Sequence, residues 1–207
     1  MSYYSERDNL PTPTRKRKLY YRYFSALGGR ILDIGCSTGN FLQHCPERII
    51  GIDIDEDALK LARSRGLTCA RADITDGLPF AVASFHAVSC DSVVEHIADP
   101  LFLLREIHRI LMPGGSVVVI TPDIYRVGHR FWRDYTHRHP FCIESIKRLA
   151  YDAGFREASV RRYSLNYLRG VSRYSRTWRT GRQPIWWALE DLIGLVVASN
   201  IIMVARK

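Results

Sequence analysis

The chain has 207 residues, of which 46% are hydrophobic and 25% charged, and its formal net charge is +9 with a pI near 9.5. This length and composition fit one globular domain with a buried core and small extensions. The five cysteines are scattered and form no C-x-x-C pair. Neither a disulfide framework nor a metal site is therefore predicted, and a reducing compartment is expected.

The two apolar or terminal segments that bear on localisation both favour a cytoplasmic protein. The N-terminal residues M-S-Y-Y-S-E-R-D-N-L carry charges where a signal peptide has its apolar core. The apolar run at 192–205 is shorter than the roughly 20 residues that a membrane-spanning helix needs, and it contains Ser199 and Asn200. We interpret it as the end of a helix followed by a buried strand.

Helical spacing at 14–27, stopped by Gly28 and Gly29, predicts a basic helical extension over residues 1–29 before a single domain at 30–207. Strands and helices then alternate. The predicted strands are 30–34, 49–54, 68–72, 85–90, 116–121, 158–163 and 200–205, and the predicted helices are 40–44, 56–64, 100–111 and 143–153. This order predicts an α/β fold: a Rossmann-like, doubly wound, mostly parallel seven-stranded sheet with a C-terminal antiparallel hairpin.

A glycine-punctuated turn follows the first predicted strand, in the segment I-L-D-I-G-C-S-T-G-N-F at 31–41. Gly35 and Gly39 can take backbone angles that are closed to other residues, and a ligand can lie against their main chain. A helix at 40–44 would direct its unpaired N–H groups at the same place. These features predict a nucleotide-binding crevice.

Aspartates follow the predicted strands at the edge where ligands bind in doubly wound sheets. Asp53, at the tip of the second strand, is placed to accept two hydrogen bonds from a ribose diol. Asp73 can accept one from an exocyclic amine such as that of adenine. Each could instead cap a helix, although Asp55 is the better cap for the helix at 56–64.

A nicotinamide dinucleotide is the competing ligand for such a crevice. Its G-x-G-x-x-G fingerprint needs a third glycine so that the helix packs closely. Here Gly39 is followed by Asn40, Phe41 and Leu42, whose side chains leave little room for a pyrophosphate.

Several longer segments share the order and spacing of one known family: I-L-D-I-G-C-S-T-G-N-F-L, I-G-I-D-I-D-E-D-A-L-K-L-A-R, A-D-I-T-D-G-L-P-F, V-V-E-H-I-A-D-P and L-M-P-G-G-S-V-V-V-I-T-P. Together they resemble the class I S-adenosylmethionine-dependent methyltransferases over residues 30–122. The resemblance implies S-adenosyl-L-methionine as cofactor and methyl transfer as the activity.

The resemblance also implies which residues contact the cofactor. The glycine turn would hold the methionine part, Asp53 the ribose, Asp73 the adenine, and the backbone at 90–91 the sulfonium side. One departure is Ser37, which stands where many members have glycine. The implied cofactor-binding residues are Asp33, Gly35, Ser37, Gly39, Asp53, Ile54, Asp73, Ile74, Cys90 and Asp91.

An aromatic, histidine-rich segment at 125–141 interrupts the alternation where a substrate loop is expected. Its F-W-R-D-Y-T-H-R-H-P-F part resembles a loop of methyltransferases encoded with glycan and cell-envelope biosynthesis, with a D-x-T-H-x-x-P-F core. His137 is the first candidate for a general base, with Asp134 fixing its tautomer, and His96 is the second. A structural role for His137, tying the loop to the sheet, remains open. The wider set of candidates includes Glu95, Asp123, His129 and His139.

An insert at 164–197 interleaves arginines with tyrosines and tryptophans. This pattern fits a phosphate-bearing or lipid-linked acceptor, or peripheral contact with an anionic membrane. A lid whose aromatic residues belong to the core, and a simple solvated basic face, fit it as well.

Three functions compete on these observations. Methyl transfer to a small-molecule hydroxyl, on a glycan precursor, lipid or related metabolite, is favoured. A nucleic-acid methyltransferase is second, since the net charge suits it but the chain lacks the N/D/S-P-P-Y/F/W tetrapeptide of amino-directed base methylation. A non-catalytic cofactor-binding module is third, and the presence of Asp33, Asp53 and Asp73 argues against it.

Overall fold

The computed structural model describes residues 13–163 and 199–207. The helices are α1 (Pro13–Tyr23), α2 (Glu56–Ser64), α3 (Pro100–Ile110), α4 (Ile124–Val127) and α5 (Ile143–Asp152). The strands are β1 (Ile31–Ile34), β2 (Ile49–Asp53), β3 (Cys69–Arg71), β4 (Phe85–Asp91), β5 (Leu111–Pro122), β6 (Glu157–Tyr163) and β7 (Asn200–Arg206). Short 3-10 helices lie at Leu42–His44, Val94–His96 and Gly128–Arg133.

The strands form one seven-stranded sheet in the order β3-β2-β1-β4-β5-β7-β6. The strands from β3 to β5 pair in parallel, whereas β7 is antiparallel to both β5 and β6. This confirms the predicted fold class. The strand order reverses between β1 and β4, so the crossovers on either side diverge and leave a crevice beyond the carboxyl ends of these two strands.

Two apolar cores, one on each face, bury the sheet. One face packs against α3 and α5 through residues such as Leu104 and Ile146. The other packs against α2 and α1, where Leu19 of α1 and Phe24, one residue past its end, are almost fully buried. Helix α1 is therefore packed into a core of the sheet.

The helix predicted at 40–44 is a 3-10 helix of three residues, so the prediction was wrong in the length and the expected N-terminus of this helix. The segment forms a 3-10 turn at Leu42–His44, in which the His44 and Cys45 N–H groups donate to carbonyls three residues back. Pro46 then lacks the N–H that a further helical turn would use. Because Phe41 and Leu42 are buried in the core, packing fixes this short connection, and this segment directs no α-helix dipole at the crevice.

Smaller boundary differences have local causes. Helix α1 ends at Tyr23, before the predicted 27. Strand β5 begins at Leu111, before the predicted 116, because Leu111 pairs with Phe85. A register break over residues 112–115 follows before Ser116 pairs with Ala87.

The basic aromatic insert at 164–197 lies outside the described residues. Its flanking residues are described: Tyr163 pairs with Asn200, which also pairs with Pro122 at the carboxyl end of β5. The described residues on either side of the insert therefore lie at the edge of the sheet where the crevice opens. Within the described ranges, every helix is too short or too polar to cross a bilayer.

We expect that Phe24→Ala lowers the free energy of unfolding by about 3–5 kcal/mol, since the ring is fully buried between α1 and the sheet. Urea denaturation measures this change. The matched control is Tyr21→Ala, three residues earlier in α1, whose side chain is 46% exposed and which should cost under about 1 kcal/mol. Equal losses for the two variants would contradict the packing of α1 in the core.

Candidate active site

The crevice is bordered by the carboxylates at the ends of the three central parallel strands. Asp33 lies on β1, Asp53 ends β2 and Asp91 ends β4. The register sets Asp33 beside both Gly51 and Ser89. Three acidic groups separated in sequence are thus brought to one edge of the sheet.

The turn after β1 has the shape that its glycines predict. Gly35 and Gly39 have φ angles of +74° and +82°, in the left-handed region. A Cβ at Gly35 would lie 2.4 Å from a methyl carbon of Val93, and one at Gly39 would lie 2.5 Å from Leu67. Ser37 also has a positive φ of 46°, which costs a non-glycine residue about 1 kcal/mol.

Asp53 holds this turn in place. Its Oδ2 accepts a 2.8 Å hydrogen bond from the Ser37 N–H, and its Oδ1 accepts a 2.9 Å bond from the Asp55 N–H. Each carboxylate oxygen has a further lone pair for a ribose hydroxyl. The capping role falls to Asp55, which accepts from the N–H groups of Asp57 and Ala58 and confirms the prediction for this residue.

Asp33 is buried inside the sheet. Its side chain is 1% exposed, and neither carboxylate oxygen has a hydrogen-bond partner in the part of the chain that the structure describes. Burial raises the pKa of Asp33 to about 6, against the opposing charge of Lys16. The hydroxyl oxygens of Ser37 and Ser89 are likewise buried and unsatisfied among the described residues. Such a set fits a ligand with a cationic donor, such as an amino acid ammonium.

Lys16 is a site residue that the sequence did not single out. Its Nζ, carried by α1, lies 3.0 Å from Asp91 Oδ2, and the two side chains are 19% and 2% exposed. In the sequence Lys16 is one of four consecutive basic residues, Arg15 to Lys18, and only the packing of α1 selects which one faces the crevice.

The remaining residues predicted for the cofactor have different surroundings. Asp73 is exposed, and hydrogen bonds from the hydroxyl and N–H of Thr75 lower its pKa. It lines a groove of about 380 Å³ with Asp76, Leu78 and Glu106. Ile54 is 57% exposed, and Ile74 is half-buried against one core. The Cys90 side chain is fully buried, which leaves its backbone as the group available to a ligand.

The predicted catalytic histidines come together over the ends of β4 and β5. His96 ends the 3-10 helix Val94–His96, and His137 lies in what we call the histidine loop, residues 128–141. Their ring centroids are 4.7 Å apart. The backbone carbonyl of Glu95 accepts from the N–H groups of Arg138 and His139, which fastens the loop to the sheet.

Asp134 does not fix the tautomer of His137, so this prediction was wrong. Its Oδ2 is 4.0 Å from His137 Nε2, too far for a hydrogen bond, whereas the Phe131 carbonyl oxygen is 2.7 Å from His137 Nδ1. Asp134 instead accepts a 2.6 Å bond from the Thr136 hydroxyl, which lies 2.9 Å from His96 Nδ1. The fold of the loop therefore connects the Asp134 carboxylate to His96, through the Thr136 hydroxyl.

This network assigns the tautomers of both rings. A carbonyl can only accept, so His137 Nδ1 carries the proton. The single hydroxyl proton of Thr136 is donated to Asp134, so His96 Nδ1 must donate to Thr136. In the neutral rings both Nε2 atoms are therefore the basic nitrogens.

Glu95 completes this group, which we call the Glu95 cluster: Glu95, His96 and His137. Glu95 is 1% exposed, and its Oε2 accepts a 3.0 Å hydrogen bond from the Thr121 hydroxyl on β5. One ligand atom of each residue lies within 4.8 Å of those of the other two. Glu95 was among the wider set of candidates from the sequence, but only the fold of the turn after β4 shows that its carboxylate lies next to His96 and His137.

The site combines a mostly parallel sheet, a glycine turn after β1, an acidic residue at the tip of β2 and a buried carboxylate on β1 that can bind a cationic group. These features define a nucleoside-cofactor-binding protein of the α/β class. Comparison with known proteins gives the family: residues 32–119 match the family model described as a methyltransferase domain. Residues 32–119 are thus a methyltransferase domain of the class I S-adenosylmethionine-dependent type.

Individual relatives agree with this placement. A 37.1 kDa protein encoded in transposon TN4556 of Streptomyces fradiae is 30% identical over 179 residues, covering 74% of this chain and 52% of that protein. A ubiquinone biosynthesis O-methyltransferase of Xanthomonas oryzae is 31% identical over 103 residues, covering 45% and 43%. The chain spans about half the length of the curated relatives it matches.

Among solved structures, a SAM-dependent methyltransferase from Archaeoglobus fulgidus superposes with a TM-score of 0.70 at 23% identity, covering all of both chains. This likeness establishes the fold. S-adenosyl-L-methionine is the cofactor of the family, and the crevice fits it, because the unsatisfied Asp33 carboxylate suits its ammonium.

Asp33→Asn should stabilise the cofactor-free protein, because it removes the cost of ionising a buried carboxyl. The folded-state pKa of about 6 lies above the usual 3.8, so this cost is absent below pH 3.8, grows as the pH rises and is complete above 6. We expect a gain of about 2–3 kcal/mol at pH 7.5 that shrinks at pH 5, measured by urea denaturation, together with weaker cofactor binding. A gain that does not depend on pH would contradict this account of Asp33.

Asp53→Asn should weaken binding of S-adenosylhomocysteine by about 10-fold or more, since charge-assisted hydrogen bonds to the ribose are lost. Isothermal titration calorimetry measures this. The control is Asp55→Asn, two residues away, because Asn preserves the helix cap and should leave affinity within about 2-fold. Equal affinities for the two variants would remove Asp53 from the cofactor site.

Proposed function

We propose that this protein transfers the methyl group of S-adenosylmethionine to a hydroxyl of a small-molecule acceptor. The observation that carries this proposal is the pair of basic Nε2 nitrogens of His96 and His137, set over the ends of β4 and β5 beside the cofactor crevice. An oxygen acceptor needs a proton acceptor, since its proton must leave as the new bond forms.

One group of residues at the glycine turn binds the cofactor, and a second group around the two histidines acts on the acceptor. When bound, the cofactor supplies an electrophilic methyl group on a sulfonium. Asp33, the 35–39 turn and Asp53 hold it, and Asp73 with Ile54 and Ile74 borders its adenine. His137 takes the acceptor proton, while the Phe131 carbonyl keeps its Nε2 basic and correctly oriented. Asp134 orients His96 through Thr136 in the same way.

The surface around the histidine loop supports a polar acceptor with a ring or phosphate. Tyr125, Trp132 and Tyr135 are 74%, 57% and 94% exposed there. Exposed arginines at 126, 130, 133 and 138 alternate with them. A sugar or aromatic ring can stack on such rings, and a phosphate can pair with the guanidinium groups. These features favour a glycan precursor, a lipid-linked intermediate or a related metabolite.

The name of the Xanthomonas relative, a ubiquinone biosynthesis O-methyltransferase, supports oxygen as the methylated atom. If the acceptor is lipid-linked, the protein acts at a membrane, and the 164–197 insert is the segment that would contact it. An assay with labelled S-adenosylmethionine against sugar nucleotides, lipid extracts, phenolic metabolites and RNA tests the acceptor class. Methylation of RNA alone would overturn the small-molecule proposal.

His137→Asn should lower the turnover number roughly 100- to 10,000-fold with that acceptor, because the proton acceptor is lost. Affinity for S-adenosylhomocysteine should change by less than about 2-fold, since His137 lies outside the cofactor turn. Steady-state kinetics and calorimetry measure the two quantities. His129→Asn, an exposed histidine of the same loop, is the control and should keep most of the activity; equal loss in both variants would contradict the role of His137.

A further inference from the structure

The Glu95 cluster has the composition of a metal site. It presents one carboxylate and two imidazoles, each with a ligand atom within 4.8 Å of the others. Two histidines and one carboxylate are a donor set for divalent transition metals such as Zn²⁺, Mn²⁺, Fe²⁺ and Co²⁺. Ca²⁺ and Mg²⁺ prefer all-oxygen surroundings, so the imidazoles select against them.

The groups around the cluster have the arrangement that metal-ligating histidines require. A ligating imidazole donates its other N–H to a carbonyl or carboxylate, which fixes the ring. His137 does so to the Phe131 carbonyl, and His96 does so to Thr136, which relays to the Asp134 carboxylate. Both rings are therefore held in the tautomer whose Nε2 can bind a cation.

The carboxylate is also oriented from outside. Glu95 is buried, and its Oε2 accepts a hydrogen bond from the Thr121 hydroxyl. Its backbone carbonyl accepts hydrogen bonds from the N–H groups of Arg138 and His139 in the histidine loop. A cation bound beside a buried carboxylate offsets part of the desolvation cost of that carboxylate. All three ligands thus have supporting contacts from β5 or from the loop.

We propose that Glu95, His96 and His137 bind one divalent transition-metal ion, and that the ion coordinates the acceptor oxygen during methyl transfer. The second part rests on the proposed methyl transfer to a hydroxyl, with the ion in place of His137 as the group that activates that hydroxyl, whereas binding of the ion does not rest on the proposed function. Three protein ligands leave open coordination positions, as in catalytic metal sites.

Coordination would lower the pKa of an acceptor hydroxyl, so that its proton passes to solvent water without a protein base. The alkoxide oxygen then bonds to the methyl carbon, the carbon–sulfur bond breaks, and its electron pair stays on the sulfur, which becomes a neutral thioether. In this arrangement His96 and His137 are ligands, and the loss of activity in His137→Asn reports the loss of the metal.

Metal binding is tested on the full chain stripped with a chelator and titrated with Co²⁺ and Zn²⁺. We expect one equivalent per chain by elemental analysis and calorimetry, and a visible Co²⁺ absorption band. Glu95→Gln, which keeps the shape of the side chain, and His137→Asn should each weaken binding by about 10- to 100-fold or more. His129→Asn should bind as the unmodified chain does, and S-adenosylhomocysteine binding verifies that each variant is folded.

The outcomes separate this inference from the proposed function. Substoichiometric binding, or equal binding by Glu95→Gln and the unmodified chain, overturns the metal site. Methyl transfer that persists after the ion is removed overturns its catalytic part and leaves His137 as the base. Metal binding in a chain that methylates none of the acceptors tested supports the site and counts against the proposed function alone. Metal-dependent transfer restored by Co²⁺ or Zn²⁺ supports both.

Discussion

Asp33 lies in the centre of the sheet, and the burial of its carboxylate is the constraint on which the cofactor end of the molecule depends. β1 is flanked on both sides by parallel strands, so its side chains face packed layers and not solvent. A charge kept there opposes folding unless a ligand compensates it. The other residues of the strand are Ile and Leu, and the apolar cores that they join on both faces supply stability against this cost.

Helix α1 links that constraint to the rest of the chain. Leu19 and Phe24 anchor the helix in one core, and this anchoring carries Lys16 to Asp91 at the crevice. The lysine places a positive charge close to the carboxylates that a cationic cofactor group would meet. The helix before the first strand therefore contributes both to packing and to the electrostatics of the site.

Glu95 organises the opposite end. Its backbone holds the histidine loop, its side chain contacts β5 through Thr121, and its neighbour His96 faces His137. Glu95 thus connects the sheet, the histidine loop and the two candidate catalytic histidines. The loop itself supplies the contacts that orient both imidazoles, so its fold and its chemistry cannot be varied separately.

The sequence by itself determined the features that depend on neighbouring residues. Apolar runs separated by helical segments predicted the sheet, because burial on both faces requires such runs in parallel strands. The positive φ angles of Gly35 and Gly39 and the cap at Asp55 follow from local backbone chemistry. The position of Asp53 at the tip of β2 follows from the strand boundary alone.

Only the tertiary structure decided the features that depend on distant partners. The helix expected at 40–44 gave way to a 3-10 turn because Phe41 and Leu42 are buried against α1. Asp134 lies three residues from His137 yet serves His96, since the fold of the loop sets which ring its Thr136 relay reaches. Lys16 and Glu95 gained their roles in the same way, through helix docking and strand register, which sequence spacing does not encode.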